Sequence, residues 1–324
     1  MKKVFNWGVI GLGNIAHKFA EDLLQVQDAK LLGVASRNKE KATKFAEKYD
    51  VENYYDSYES LVKNPEIDIV YIATPHVFHF ENTMMCLRNN KSVLCEKAFA
   101  MNFNEVDVMI KEAASRNLFL MEAMWTRFIP ATEKLIALIG QQRMGEIYKI
   151  EADFGFEGNN DIKSRLYDKK LGGSSLLDIG IYPIYLSLLL LGIPDRIQAE
   201  ATFTSTEIDD SCTMIFEYKN NVKTFLKSTI KESTPIEATI YGKKGTIKMQ
   251  SPFHHSKKLT LTNMDNSVEE LFFNFNELGY YYEIIEVMNC LKKGHNQSFK
   301  MPHVMSLSLI KTLDLVRKKI GLTY

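Results

Sequence analysis

The sequence predicts an α/β protein in two parts. Residues 1–123 form a doubly wound parallel sheet, and residues 124–324 an α+β portion with a large, open, mainly antiparallel sheet. Three observations predict this. Apolar strand patterns alternate with helical patterns through about residue 123, as in βαβ units. The first strand runs straight into a glycine turn and a helix. Beyond Trp125 the period changes to two, with turn residues at short intervals.

The chain opens with KVFNWGVIGLGNIA, Lys3 to Ala16. Val4, Phe5, Trp7, Val9 and Ile10 make a buried strand, and Ile15, Phe19 and Leu23 recur every four residues on one helix face. Between them Gly11-x-Gly13-x-x-Ala16, with Asn14 and Ile15 at the helix start, is a dinucleotide-binding (Rossmann) fingerprint. Gly11 permits the tight turn, Gly13 lets backbone approach a pyrophosphate, and Ala16 allows close helix–strand packing. The positive end of the helix would face the phosphates.

Lys30 to Ala35 is the second strand, whose carboxyl end should meet the adenosine ribose. An NAD-type site usually places a carboxylate there. This chain has Ser36-Arg37-Asn38, then Lys39 and Lys41. A hydroxyl and a guanidinium suit a 2′-phosphate, so NADP is expected over NAD. A solvated loop arginine is the competing reading of Arg37.

Lys39 to Tyr49 has helical spacing, and Asp68 to Ala73 is a continuous apolar strand ending in Thr74-Pro75-His76-x-x-His79. A helix follows from His79 to Leu87. Ser92 to Cys95 is the next strand and ends in Glu96-Lys97-Ala98; Asp107 to Arg116 is helical and Leu118 to Glu122 a strand. Each polar cluster falls at a strand's carboxyl end, where such sheets bind ligands: Gly11 to Ala16, Ser36-Arg37, Thr74-Pro75-His76, Glu96-Lys97 and Glu122 to Arg127.

In the second part, residues 147–156, 197–204, 213–218, 222–230, 236–241 and 246–250 read as strands, with 259–262 and 270–275 as further ones. Lys219-Asn220-Asn221 and Gly242-Lys243-Lys244-Gly245 read as hairpin turns. Helices at about 132–138, 174–191, 280–292 and 306–319 should cover one face of this sheet.

Forty basic and forty acidic residues balance, which points away from nucleic acid and anionic membrane surfaces. Cys86, Cys95, Cys212 and Cys290 are dispersed and read as core thiols of a reducing compartment, hence a cytoplasmic protein with no metal site. Met1-Lys2-Lys3 precedes too short an apolar run for a signal peptide. Leu176 to Leu191 is too short to span a bilayer and reads as a buried helix.

GVIGLGNIA, VYIATPHVFH, VLCEKAFAMN, MEAMWTRFIPA and GGSSLLDIGIYP fall in the order and at about the spacing of the Gfo/Idh/MocA oxidoreductase family. The resemblance covers nearly the whole chain. Within the family the sequence is most similar to the dimeric dihydrodiol dehydrogenases and NADP-dependent D-xylose dehydrogenases, chiefly through MEAMWTRF and DIGIYP. The resemblance implies hydride transfer between a nicotinamide and a carbinol carbon of a sugar, cyclitol or trans-dihydrodiol. It also implies a homodimer formed through the open face of the second sheet. A keto-sugar reductase of the 1,5-anhydrofructose type and a non-catalytic NADP(H)-binding regulator are the alternatives.

The protein must move the hydroxyl proton. Lys97, at a strand end near an oxidised nicotinamide, is one candidate, because burial and a neighbouring positive charge lower an amine's pKa. Its competing reading is a surface lysine paired with Glu96. Tyr182 is the second candidate, and the resemblance places it at the acid/base position. Asp178, four residues earlier on the same helix face, would hold the substrate. A buried tyrosine satisfied by backbone and a helix-terminal aspartate are the competing readings. His76 and His79 are further candidate acids, with His79 read as orienting the cofactor loop. Trp125 and Arg127 would border cofactor and substrate, and Arg165 would touch substrate. Loops 156–165 and 253–257 would shape the pocket. His254-His255 has no third ligand for a metal. Where the family carries proline after Glu-Lys, this chain has Ala98, which leaves the aim of Lys97 less constrained.

Overall fold

The structure, a computed structural model, describes residues 3–158, 164–275 and 278–324. It consists of two compact units, Met1–Trp125 with Asn276–Leu307, and Thr126–Phe275 with Ser308–Tyr324.

The first unit is built on a six-stranded, all-parallel sheet ordered β3-β2-β1-β4-β5-β6. Its strands are β1 (Phe5–Ile10), β2 (Ala29–Ala35), β3 (Asn53–Tyr55), β4 (Ile69–Ile72), β5 (Ser92–Glu96) and β6 (Leu120–Ala123). Central strands carry apolar residues at consecutive positions because both faces are covered. All four residues of β4 are buried, as are all five of β5. Helices α1 (Asn14–Leu23), α2 (Lys39–Tyr49), α3 (Tyr58–Val62), α4 (His79–Arg88) and α5 (Phe103–Ser115) fill the crossovers. Strand order reverses between β1 and β4, where ligands bind in such sheets.

Local chemistry sets the element ends. Asn38, Ser57 and Asn102 cap α2, α3 and α5, each side chain accepting from an N–H three residues on. The Asn102 cap explains why α5 begins four residues before the expected 107. The face of α1 differs from the expected one. Ala16, Phe19, Ala20 and Leu23 are buried, whereas Ile15 is 38% exposed. Small Ala16 and Ala20 let the helix lie close on the sheet, and Phe19 stacks on Tyr71 of β4 at 3.6 Å.

In the second unit an eight-stranded sheet runs β14-β13-β12-β11-β7-β10-β9-β8. These are β7 (Ile147–Gly155), β8 (Arg196–Phe203), β9 (Asp209–Glu217), β10 (Lys223–Thr229), β11 (Ala238–Gly242), β12 (Gly245–Met249), β13 (Lys258–Asn263) and β14 (Val268–Phe272). All neighbours are antiparallel except β7 with β10. Both expected hairpins are present, and Asn220 and Asn221 take the positive φ that the first turn needs. Helices α6 (Pro130–Gly140) and α7 (Ile181–Leu191) lie wholly in this unit.

Two expectations need correction. The helix at 280–292, α8 (Tyr280–Lys292), does not cover the antiparallel sheet. It packs on α1 in the first unit, because buried Asp22 of α1 accepts the N–H groups of Leu278 (2.9 Å) and Tyr281 (3.0 Å) and so caps it. The run at 174–191 is not one regular helix. Leu176–Gly180 is π-wound and passes without a break into α7, with right-handed helical backbone at both Gly180 and Ile181. Pro183 lies inside this continuous run and has no N–H to donate to the preceding turn, which is where the winding is wider. Among the described residues one helical run, Lys169–Leu191, is apolar and long enough to cross a membrane, and 83% of its most apolar window is buried inside the protein. The final helix, α9 (His303–Ile320), contributes residues to both units.

Candidate active site

The glycine turn between β1 and α1 contains two glycines held for different reasons. Gly11 has φ +84°, and a Cβ there would lie 2.7 Å from the backbone of Ala73 and Thr74. The fold itself therefore requires glycine. Gly13 has an extended backbone (φ −90°, ψ −172°) that any residue adopts, and a Cβ there would meet nothing within 4 Å. Protein packing does not explain Gly13; an open cradle at the start of α1 does. That helix has no side-chain cap and no acidic residue in its first turn. Its free N–H groups and dipole suit an anion, so the residues present fit a dinucleotide pyrophosphate.

At the carboxyl end of β2, Ser36 is buried and Arg37 exposed. The Arg37 guanidinium stands 5.1 Å from the Phe78 ring centre. Ser36 Oγ accepts from the Asn38 N–H (3.2 Å), while Asn38 serves as the α2 cap. No carboxylate stands at 36–38, which fits a phosphate rather than a bare ribose diol.

Strands β4, β5 and β6 end around Lys97. Buried His79, first residue of α4, has Nδ1 2.7 Å from the Ala98 carbonyl oxygen and Nε2 2.8 Å from that of Thr74. Both partners are carbonyl oxygens, so whichever ring nitrogen carries the proton donates to one of them. His79 thus ties the Thr74-Pro75-His76 loop to the Lys97 loop, and Asn82 donates to Thr74 Oγ1 at 3.0 Å. Lys97 is half-buried, and its peptide bond to Ala98 is cis. The looser aim expected from Ala98 is offset by hydrogen bonds. Glu96 Oε2 accepts the Lys97 N–H (3.2 Å), His79 holds the Ala98 carbonyl, and Glu122 Oε1 accepts the Phe99 N–H (3.1 Å). Glu96 also accepts a short hydrogen bond from the Tyr71 hydroxyl. Burial pushes the Glu96 carboxyl above its usual range, against the opposing pull of Tyr71 and Lys97. Burial pushes Glu122 up to about 7, opposed by hydrogen bonds from Ser306 and Phe99 and by the Lys97 charge. Trp125 stacks on Tyr280 at 5.2 Å.

The second unit holds Arg127, Arg165, Asp178 and Tyr182. Arg127 pairs with Glu133 of α6 at 2.9 Å. Arg165 grips Asp178 with two nitrogens, at 2.5 and 3.3 Å. The expected substrate contact and the expected substrate-holding carboxylate are therefore bonded to each other. Buried Asp209 of β9 fixes the start of this helical run, accepting the Ser175 hydroxyl (2.6 Å) and the Leu176 N–H (2.8 Å). Burial pushes it up to about 6. Tyr182 is buried in a three-ring cluster, 5.6 Å from Phe154 and 5.0 Å from His254, which themselves stack at 4.4 Å. Of the expected pocket loops, residues 159–163 lie outside the described residues, and 253–257 supply His254. Among the described residues no three metal-ligating side chains gather.

Sequence reading missed Asn82, Asp209 and Phe154 as neighbours of the site, and named Glu122 and His254 only as part of a strand-end cluster and a pocket loop. The missed three are brought in by packing that no local pattern encodes.

Residues 5–124 match the Gfo/Idh/MocA oxidoreductase family model with an NAD-binding Rossmann fold, and residues 132–248 its C-terminal domain. The chain is 34% identical over 328 residues to trans-1,2-dihydrobenzene-1,2-diol dehydrogenase of Xenopus tropicalis, covering 98% of each chain. The human enzyme of that name is also 34% identical over 328 residues, covering 98% of this chain and 97% of its own. The chain belongs to the Gfo/Idh/MocA oxidoreductase family. Its fold is that of a 3-ketoreductase from Actinomadura kijaniata, solved with TDP-benzene and NADP (TM-score 0.88, 22% identity, 98% of each chain). It is also that of the aldose-aldose oxidoreductase of Caulobacter crescentus (TM-score 0.88, 20% identity, 99% of this chain and 98% of that one).

Proposed function

We propose that this family member is an NADP(H)-dependent oxidoreductase acting on a carbinol carbon of a sugar, cyclitol or trans-dihydrodiol. The observation that carries the reading is the open cradle at Gly13, at the same end of the sheet as Arg37 and the Lys97 loop. NADP(H), when bound, supplies the hydride acceptor or donor. The main-chain N–H groups of Asn14 and Ile15 would hold the pyrophosphate, and Ser36 and Arg37 would clamp the 2′-phosphate. Thr74, Pro75 and His76 line the cofactor, His79 fixes their loop, and Glu96 and Trp125 border the site; Arg127 is a further proposed cofactor contact.

Lys97 and Tyr182 are the groups assigned to the proton of the substrate hydroxyl. Asp178, oriented by Arg165, accepts hydrogen bonds from neighbouring hydroxyls. The dehydrogenase names of the relatives and the ketoreductase and aldose chemistry of the structural neighbours support this substrate class. In this reading residues 1–123 bind cofactor, and 124–324 bind substrate and form the dimer. The open face of the second sheet, with partly exposed Phe225 beside a hollow of about 550 Å³, is the surface that pairs two copies. Four buried free thiols suit a reducing, cytoplasmic setting.

The test pairs binding with turnover. Lys97→Met should bind NADPH normally and lose at least about a hundredfold in kcat. Aldoses, cyclitols, trans-dihydrodiols and keto sugars are screened by NADPH absorbance. Wild-type turnover in Lys97→Met removes Lys97 from the mechanism. Tight NADPH binding with no turnover of any substrate favours a regulator instead.

A further inference from the structure

Glu122 has no assigned task, yet it is placed beside the proposed proton-handling lysine. It lies on β6 opposite Cys95 of β5, so its carboxyl borders the strand end that carries Glu96 and Lys97. The residue is 2% exposed. Oε1 accepts the Phe99 N–H at 3.1 Å, the Ser306 hydroxyl also bonds the carboxyl, and Oε2 has no hydrogen-bond partner among the described residues. A half-satisfied carboxylate this deep is costly unless a cation is close. Lys97 is the cation that favours its charged form. The other titratable groups around it are Glu96 and Cys95 of β5. His303 of α9 bonds the Leu120 carbonyl on the same strand, and burial disfavours its charged form.

We propose that Glu122 is a positioning residue for Lys97, holding the 97–99 loop through the Phe99 N–H and sharing with Glu96 the task of countering the ammonium. Two consequences follow from geometry. Without the carboxylate the loop loses the side-chain anchor on the Phe99 N–H, leaving those from Glu96, His79 and Cys95. Above about pH 7, where the Glu122 carboxyl is ionised, removing its charge lets Lys97 release its proton more readily. This rests on the reading of Lys97 as the proton-handling amine, and the test separates the two.

Glu122→Gln keeps an acceptor for Phe99 but removes the charge, whereas Glu122→Leu removes both. The first readout is thermal stability of the cofactor-free protein between about pH 5 and pH 8. A carboxyl that prefers to be protonated in the fold makes the wild type lose stability as pH rises through neutrality. Glu122→Gln should lose less. The second is kcat and KM against pH for Glu122→Gln, Glu122→Leu and Lys97→Met. Glu122→Gln should bind NADPH within about twofold of wild type, lose roughly tenfold in kcat, and show the Lys97 limb of its pH profile at lower pH. If Glu122→Leu does not fold, Glu122→Gln alone decides. Wild-type kcat and an unmoved limb in Glu122→Gln overturn the proposal when Lys97→Met is inactive. An active Lys97→Met overturns the reading beneath it.

Discussion

A methyl group at residue 13 distinguishes a cofactor cradle from a structural turn. In Gly13→Ala the new Cβ meets no protein atom within 4 Å, and the backbone there is extended. Alanine is a poorer N-cap than glycine by about 1 kcal/mol, but restricting the unfolded chain returns about 0.4–1 kcal/mol. Stability should therefore change by less than about 1 kcal/mol. A pyrophosphate in the cradle would be displaced by the methyl. Losing one charge-assisted N–H bond costs about 1.5–3 kcal/mol, which raises the NADPH Kd roughly ten- to a hundredfold. Gly11→Ala is the contrast. It combines a positive φ, which costs about 1–3 kcal/mol, with a 2.7 Å approach to backbone that cannot step aside, so it should unfold first. Urea melts and calorimetric NADPH titrations of both variants give the answer. Wild-type NADPH affinity in Gly13→Ala, or a stability loss like that of Gly11→Ala, would refute the reasoning.

Further outcomes follow from other residues. Arg37→Ala should raise the NADPH KM about tenfold or more and leave the NADH KM nearly unchanged, as steady-state kinetics with each cofactor will reveal. Asp22→Ala orphans two N–H groups at the start of α8 and should cost about 2–4 kcal/mol in a urea melt. Asp209 binds its proton more tightly folded than unfolded, with a folded value of about 6 against 3.8. Its contribution is therefore full below about pH 4 and lost as pH rises through about 6, at most about 3 kcal/mol. Asp209→Asn should flatten that part of the stability–pH curve. Tyr182→Phe keeps the ring cluster with Phe154 and His254, so a fall in kcat without loss of thermal stability would assign the effect to the hydroxyl.

Much of the parallel sheet was legible because its signals are local. Continuous apolar runs such as that of β4 need covering on both faces, and the glycine turn needs Gly11 for steric reasons. The short β3 and α3 were not legible, since three and five residues carry too little periodicity. The place of α8 was hidden because its cap, Asp22, lies more than 250 residues away in the chain. Around Lys97, the motif marked the residue, but its holding groups come from α4 and β6 and emerge only from the register of the strands. Asp178 and Tyr182 were readable as neighbours on one helical run. The π turn between them was not, because it depends on Pro183 and on Asp209 fixing the start of the run.

The most direct measurement is calorimetric titration of the wild-type chain with NADPH and with NADH under identical salt. The account predicts saturable binding at one site per chain, with NADPH tighter by about tenfold or more. No heat with either cofactor, or tighter binding of NADH, would contradict it.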